Sequence, residues 1–343
     1  MTTTDKVVQD AFRILVRRAL KTGEDEPFPD LDEFQWETIL NLGKIQGVTG
    51  LLFSGADSLP DEILVPDSIA FRLMVEADRI IRRSEQVSKA ESSLINKLRK
   101  NDFHPIILKG PAVAAFYPDP SLRESGDLDI FLPPGEFEAA IEALSIKDFH
   151  KDPDGNLIYT WEGVMIDQHP RYFDLHSRRR TDLKADNSPE AQLLMLSLHI
   201  RKHCMGAGVG LRQICDMAMA YKHFDGNYDH QSLLDLYERT GSGKWNRLLA
   251  SFIKEYLGKV PLPYPVDSPL PNPSTLHSIV FAGGSFGHYD PSRGTALKKG
   301  GTARKFDSFL RILRRVPFSF IYAPGELLPY MTSLIRGNIS SHS

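Results

Sequence analysis

Apolar residues recur at helical spacing through the first hundred positions. Val8, Phe12, Leu15, Val16 and Ala19 fall on one face of a helical period, and Phe34, Ile39, Leu42 and Ile45 mark a second, shorter helix. A long helix is predicted from about Asp67 to Lys100. Its apolar stripe runs through Leu73, Ala77, Ile80, Val87, Leu94 and Leu98, with charged residues between. Asp67 or Ser68, just after Pro66, is its expected N-cap.

The period changes at Asn101. Residues 104–110 (HPIILKG) form a short apolar run after a helix stop and read as a buried strand. Residues 112–117 read as a short helix, halted by a Pro118-Asp119-Pro120 turn. Residues 127–132 (DLDIFL) read as a second strand, ended by Pro133-Pro134. A helix over 135–146 has its apolar face on Phe137, Ala140, Ile141 and Leu144. Residues 156–169 read as a pair of strands turning at Glu162-Gly163, with Asp154-Gly155 a further turn before them.

Helical spacing returns at Ser188, an N-cap with Pro189 at the first helical position. Further helices are predicted at 210–224, 230–239 and 243–258. Pro261–Pro273 is expected to be irregular and Gly283–Gly301 a mobile loop, followed by a last helix over Ala303–Arg315. The layout is a helical region (1–100), an α/β core (101–185) and a second helical region (186–343). The expected class is therefore α/β (α+β), a mixed sheet flanked by helices on both sides in sequence.

Composition narrows the function. The 343 residues suggest two domains or three small ones. Lys and Arg total 41 against 44 Asp and Glu, a net charge of -3, which argues against a long nucleic-acid-binding surface but allows a small basic pocket. Two cysteines, Cys204 and Cys215, exclude a disulfide framework and a four-cysteine zinc site, and fit a reducing compartment. No run approaches the ~18–20 apolar residues of a membrane span. Met1 to Ala11 lacks the basic and apolar regions of a signal peptide. The expectation is a cytoplasmic protein.

The chemistry concentrates between Ile107 and Leu132. Side chains at i and i+2 of a strand share a face, so Asp127 and Asp129 project together while Leu128 and Ile130 point the other way. Two carboxylates so close repel unless a cation or proton lies between them. Mg²⁺ is the natural occupant, a hard ion held by one or two carboxylates with phosphate oxygens and water. Asp167, in the alternating run Val164 to His169, is a third carboxylate that needs a partner or a metal. Three carboxylates on adjacent strands suit two-metal phosphoryl or nucleotidyl transfer.

The segment LKGPAVAAFYPDPSLRESGDLDIFL (108–132) resembles the core motif of the polymerase-β-like nucleotidyltransferase superfamily. Within it, the chain is similar to a bacterial family of uncharacterised nucleotidyltransferases. The shared features are a Leu-Lys-Gly strand end, a Tyr-Pro-Asp-Pro turn, an Arg, an Asp-hydrophobic-Asp, and a later acid two positions before a His, here Asp167 and His169. A helix with spaced His residues and a following Asp resembles HIRKH…LRQICDMA. The likeness covers about 100–225.

The resemblance implies a magnesium- and ATP-binding transferase. It assigns Asp127, Asp129 and Asp167 to catalysis and to two Mg²⁺ ions, with Mn²⁺ as a substitute. Lys109 and Gly110 would stand at the phosphate-binding turn, with Arg123 and Ser125 completing the nucleotide contacts. His169, Arg201 and Arg212 would face substrate. A nucleoside triphosphate is the implied donor, and the acceptor a hydroxyl or phosphate on a small molecule, glycan precursor or peptide. A toxin-like enzyme acting on tRNA stays open, as does a nucleotide-binding module without turnover.

Plain structural readings stand beside these. Asp127 follows Gly126 as turn residues do. Asp167 can pair with an Arg, and Lys109 and Arg123 can be structural or solvated cations. His169 can be a satisfied buried histidine. His199 and His203 share a helix face at zinc spacing, but Ile200 stands where a metalloprotease has Glu. That face reads instead as surface or as the wall of a cleft, where Arg201, Lys202 and Arg212 would help bind substrate phosphate and Asp216 would hold one of them by an ion pair. Arg178-Arg179-Arg180 and the Lys298, Lys299, Arg304, Lys305 group read as solvated loops or as contacts for an anionic ligand.

Overall fold

A computed structural model describes residues 3–23, 26–152, 154–177, 183–206, 208–283 and 313–340. The Arg178–Arg180 run, the predicted loop after Gly283 and the predicted helix as far as residue 312 lie outside these residues. The chain opens with helices α1 (Thr3–Leu20), α2 (Glu33–Gln46), α3 (Thr49–Asp57) and α4 (Asp67–Arg99). Asp32 caps α2 through its side chain, with Gln35 returning the bond. The 33-residue α4 spans the predicted range, but Pro66 holds its capping position. The Pro66 carbonyl already accepts from the Ile69 and Ala70 amides, so Asp67 is inside the helix. Ser68 instead donates to Glu33 at 2.6 Å.

Next come β1 (Ile106–Ile107), α5 (Pro111–Ala114), β2 (Asp127–Phe131), α6 (Ala139–Ala143), β3 (Phe149–Lys151), β4 (Leu157–Trp161) and β5 (Val164–His169). They form one five-stranded mixed sheet in the order β1-β2-β5-β4-β3. β2 and β5 are parallel, and every other pair is antiparallel. The β2–β5 register sets Asp127 opposite Met165, Asp129 opposite Asp167 and Phe131 opposite His169. Leu128, Ile130, Val164 and Ile166 point to the other face. There they pack on Val87, Ala90, Leu94 and Leu98 of α4 and on Ala140 and Ile141 of α6.

The second helical region holds α7 (Pro189–Met205), capped by Ser188, then α8 (Leu211–His223), α9 (His230–Arg239) and α10 (Gly243–Phe252). A wide turn carries α10 on to Leu257, where Gly258 ends it with φ +85°. Helices α11 (Ser274–Gly283), α12 (313–322) and α13 (Pro324–Ser340) follow. A second core joins α1–α3 to α7–α10. Buried Gln46 ties them: it accepts the Leu211 amide at 2.8 Å and donates to the Val280 carbonyl at 3.1 Å. Among the described residues, no helix is long and apolar enough to cross a membrane.

Helix α3 matters to the site because it supports the chain leading into β2. Gly50 packs on the backbone of Leu122, and a Cβ there would run into the Leu122 carbonyl oxygen. Gly50→Ala should therefore destabilise the fold by about 1–3 kcal/mol, through backbone displacement rather than cavity formation. Urea unfolding checks it: an unchanged midpoint would mean that α3 does not hold this turn.

Candidate active site

The run from Leu122 to Gly126 is gripped residue by residue. A single 3-10 turn over Pro120–Leu122, capped by Asp119, delivers Arg123 to the interior. Arg123 donates from Nε and Nη2 to the two carboxylate oxygens of Asp216 on α8, at 2.7 and 2.8 Å, and from Nη1 to Ser125 Oγ at 2.7 Å. Tyr117 also donates to Asp216, at 2.7 Å. Burial opposes both charges of the pair, but each holds the other ionised: the Asp216 carboxyl is pushed down and the Arg123 guanidinium up. Glu124 accepts the Thr49 amide at 2.7 Å, and its carbonyl accepts from Arg212 at 2.6 Å. Arg83 of α4 donates to the Gly126 carbonyl at 2.5 Å. Asp127 thus begins a strand whose entry is fixed by α3, α4 and α8.

The carboxylates project from the sheet face opposite α4. Asp129 is buried and its Oδ1 takes two donors: Lys109 Nζ at 2.7 Å and His169 Nε2 at 2.9 Å. His169 Nε2 also lies 3.4 Å from Asp167 Oδ2. Burial works to raise the Asp129 carboxyl, but the Lys109 ammonium and the His169 imidazole hold it well below the usual range. Burial works against the charged His169 ring, yet its bonds to Asp129 and Asp167 push it up to about 9. Asp127 is raised instead: burial and the charge of Asp129 outweigh the Lys109 and Arg212 charges that act to lower it. Gly110, at φ +67°, takes the chain sharply from β1 into α5. It lies so near β2 that a Cβ would sit 3.3 Å from the Asp127 carbonyl oxygen.

A chain of alternating charge continues from Asp129 toward the second helical region. Lys109 Nζ is 3.2 Å from His199 Nε2, and His199 Nδ1 is 2.9 Å from Asp174. Lys202 then bridges Asp174 at 2.9 Å and Asp154 at 2.6 Å. Burial depresses the basicity of His199, aided by the Lys109 charge, so its ring is neutral at pH 7. Lys109, Asp129, Asp154, His199 and Lys202 line one cleft of about 300 Å³ between the sheet face, α7, α8 and Tyr330 of α13, while Asp174 lines the small cavity next to Arg201. That is the lower end of small-molecule sites.

Of the residues singled out in the sequence, the cleft gathers Lys109, Gly110, Arg123, Ser125, Asp127, Asp129, Asp167, His169 and Arg212. Arg123 is engaged with Asp216 rather than turned outward. Arg201 does not line this cleft; it is buried beside Asp174, His176 and Glu326 in a smaller cavity. The His199–His203 face forms part of the wall. Lys202, expected as a phosphate contact, lines the cleft; Asp152, Asp154, Asn156, Asp174 and Tyr330 were not among the site residues expected from sequence. Only the Asp154-Gly155 turn signal pointed to any of them.

The donor set fits a hard divalent cation. Ligand atoms of Asp129, Asp167 and His169 lie within 4.8 Å of one another. Asp167 Oδ1 is buried without a hydrogen-bond partner, an acceptor left for a ligand the protein does not itself supply. The cluster includes His169, where the sequence suggested Asp127; Asp127 borders it on the same face.

In metal-free protein the His169 ring should titrate near pH 9, against an ordinary 6.5. The stability it contributes is full below pH 6.5 and is lost as the pH rises through about 9. Asp129→Asn should move the titration from about 9 back toward 6.5, read by NMR of the ring. A ring still titrating near 9 in that variant would assign the shift elsewhere.

Comparison with known proteins agrees with this geometry. No curated protein and no solved structure matches the chain. A family model described as an uncharacterised nucleotidyltransferase matches residues 32–258, which include every side chain of the carboxylate cluster and its gripped approach. With well over half of its length matched, the chain belongs to this nucleotidyltransferase family.

Proposed function

We propose that the cleft binds a nucleoside triphosphate with Mg²⁺ and transfers its nucleoside monophosphate to a hydroxyl or phosphate oxygen of a small acceptor. The acceptor oxygen bonds to the α-phosphorus, the bond from that phosphorus to the bridging oxygen breaks, and pyrophosphate leaves. A hydroxyl acceptor also releases its proton. The observation that carries this reading is the parallel β2–β5 register. It sets Asp129 beside Asp167 on one face, with a buried, unpartnered carboxylate oxygen between the strands and the helical wall.

Asp127, Asp129 and Asp167 would hold the metal, which supplies charge neutralisation and polarisation of the phosphoryl oxygens. Gly110 lets backbone approach the phosphates closely. Lys109, poised between Asp129 and His199, offers a buried cation to the negative charge that grows on the leaving group. His169 orients both Asp129 and Asp167. We assign residues 101–185 as the catalytic core, with 1–100 and 186–343 supplying the walls. The reading places the protein in a reducing cytoplasm, where buried Cys204 and Cys215 stay free thiols.

One observation favours a second reading, a nucleotide-binding module without turnover: Lys109 and His169 already neutralise Asp129. Pyrophosphate release separates the two. Purified protein is incubated with each ribonucleoside triphosphate and Mg²⁺, with and without cell extract as acceptor source. Asp127→Asn should lower release by about 10²-fold or more. Its melting temperature should stay level or rise, because burial and Asp129 make the Asp127 charge unfavourable to the fold. Nucleotide binding without release under every condition would favour the module.

A further inference from the structure

A second cavity, of about 420 Å³, adjoins the first and shares Ser125 and Arg212 with it. It lies on the α4 side of the Ser125–Asp127 run, whereas Lys109 and Gly110 line the first cleft. Its walls carry four cations, Lys44, Arg79, Arg83 and Arg212, against two carboxylates, Glu76 and Glu124. Lys44 is 2.8 Å from Glu76 and Arg79 is 3.8 Å from it, so one carboxylate serves both cations. Arg83 donates to the Gly126 carbonyl and Arg212 to that of Glu124, and the Arg212 charge also acts on Asp127 and Asp216 in the neighbouring cleft. Glu124 is pushed toward its neutral form by burial, despite the Thr49 amide and Arg212. The excess of positive charge is local, since the whole chain carries -3.

We propose that this cavity binds a phosphate group carried by the acceptor, so that the acceptor is a phosphorylated small molecule lying across both cavities. The proposal rests on the transferase reading of the first cleft and adds the acceptor's chemical class to it. A concave site with an excess of cations suits a compact dianion, and guanidinium forks match phosphate oxygens. A long polyanion would need positive charge spread beyond the cavity, which the overall charge does not favour. The wall shared with the catalytic cleft is thin. Gly126 lines this cavity one residue before Asp127, and a Cβ there would meet nothing within 4 Å, so no side chain narrows the space at that point. A molecule anchored by its phosphate beside Gly126 can thus reach the carboxylates with a hydroxyl. Lys44 and Arg79 belong to α2 and α4, outside the α/β core, which gives the first helical region a direct part in choosing the acceptor.

The test uses the full chain and inorganic phosphate as probe, with calorimetry in the presence of Mg²⁺ and a saturating α,β-methylene nucleoside triphosphate. Phosphate should bind the nucleotide-loaded protein. Lys44→Gln/Arg79→Glu should weaken that binding roughly tenfold or more while leaving nucleotide affinity unchanged. Arg79 is 83% exposed, so the variant should keep its melting temperature. A second arm separates an esterified phosphate from a free one. Extract treated with immobilised phosphatase, then cleared of it, should lose its capacity to accept labelled nucleotide. Undiminished phosphate binding in the variant, or no phosphate binding at all, overturns the proposal. So does competition between phosphate and nucleotide, which would give the cavity to the triphosphate, and so does full acceptor capacity after phosphatase. Failure of the transferase reading shows separately, as wild-type protein that neither binds the nucleotide analogue nor releases pyrophosphate.

Discussion

Three carboxylates in one half-buried cleft set the constraint around which the structure is arranged. A parallel strand pair puts Asp129 directly beside Asp167, and strand alternation adds Asp127 two residues away. Charges this close in a low-dielectric setting are unstable without compensation. The protein supplies part of it with Lys109 and His169, both directed at a single oxygen of Asp129. It compensates Asp127 only in part, through the charges of Lys109 and Arg212, and leaves one oxygen of Asp167 without a hydrogen-bond partner. That asymmetry is what makes the cluster a site: a fully paired network would be a structural element with no use for a ligand.

Holding such a cluster open demands rigidity from its surroundings. The opposite face of the sheet is packed with aliphatic side chains on α4 and α6, which fixes β2 and β5 from below. The approach to β2 is fixed from the side by Arg123, whose fork spans Asp216 on α8 and Ser125 on its own segment. A buried ion pair of this kind is weak as a source of stability but strict as a source of geometry, because either partner alone would be a stranded charge. It also explains why helices far apart in sequence share one core. The site lies between the sheet, α7, α8 and α13, with α3 and α4 holding the approach to β2, and the contacts of Gln46 tie the first and second helical regions together.

The elements that build this arrangement were legible to different degrees. The long helix α4, the strands bearing Asp127, Asp129 and Asp167, and the Ser188-capped α7 announce themselves by periodicity and capping. So does the sharing of a face by Asp127 and Asp129, since a period of two fixes it, whereas the place of Asp167 beside them follows from the β2–β5 register. Strand β3 gave no signal, because all three of its residues are exposed at a sheet edge and nothing in them alternates. Helix α3 is nine residues long and reads equally well as part of a loop. Asp154, Asp174 and Lys202 are separated by up to 48 positions and meet only through tertiary folding, so spacing could not pair them. Arg123 shows the limit most clearly. Its place in the motif suggested phosphate, and only the fold reveals Asp216 as its buried partner.

The pairings also assign different work to the cations of the cleft. Arg123 and Lys202 are each bound to carboxylates on more than one side or by more than one bond, and burial does not release them. These bonds commit both cations to structure. Lys109 is placed differently: it has one carboxylate partner, and its other neighbour, His199, is neutral at pH 7. Its attachment therefore depends on Asp129 keeping its charge available. Any ligand that draws on that carboxylate frees the ammonium within the same cleft, close to where phosphate charge would lie. A long, flexible side chain ending in a point charge suits that exchange better than a guanidinium fork, which would lose two oriented bonds on leaving. On the proposed function, Lys at position 109 and Arg at position 123 match two different tasks: a cation that exchanges its single carboxylate for phosphate, and one that stays with Asp216.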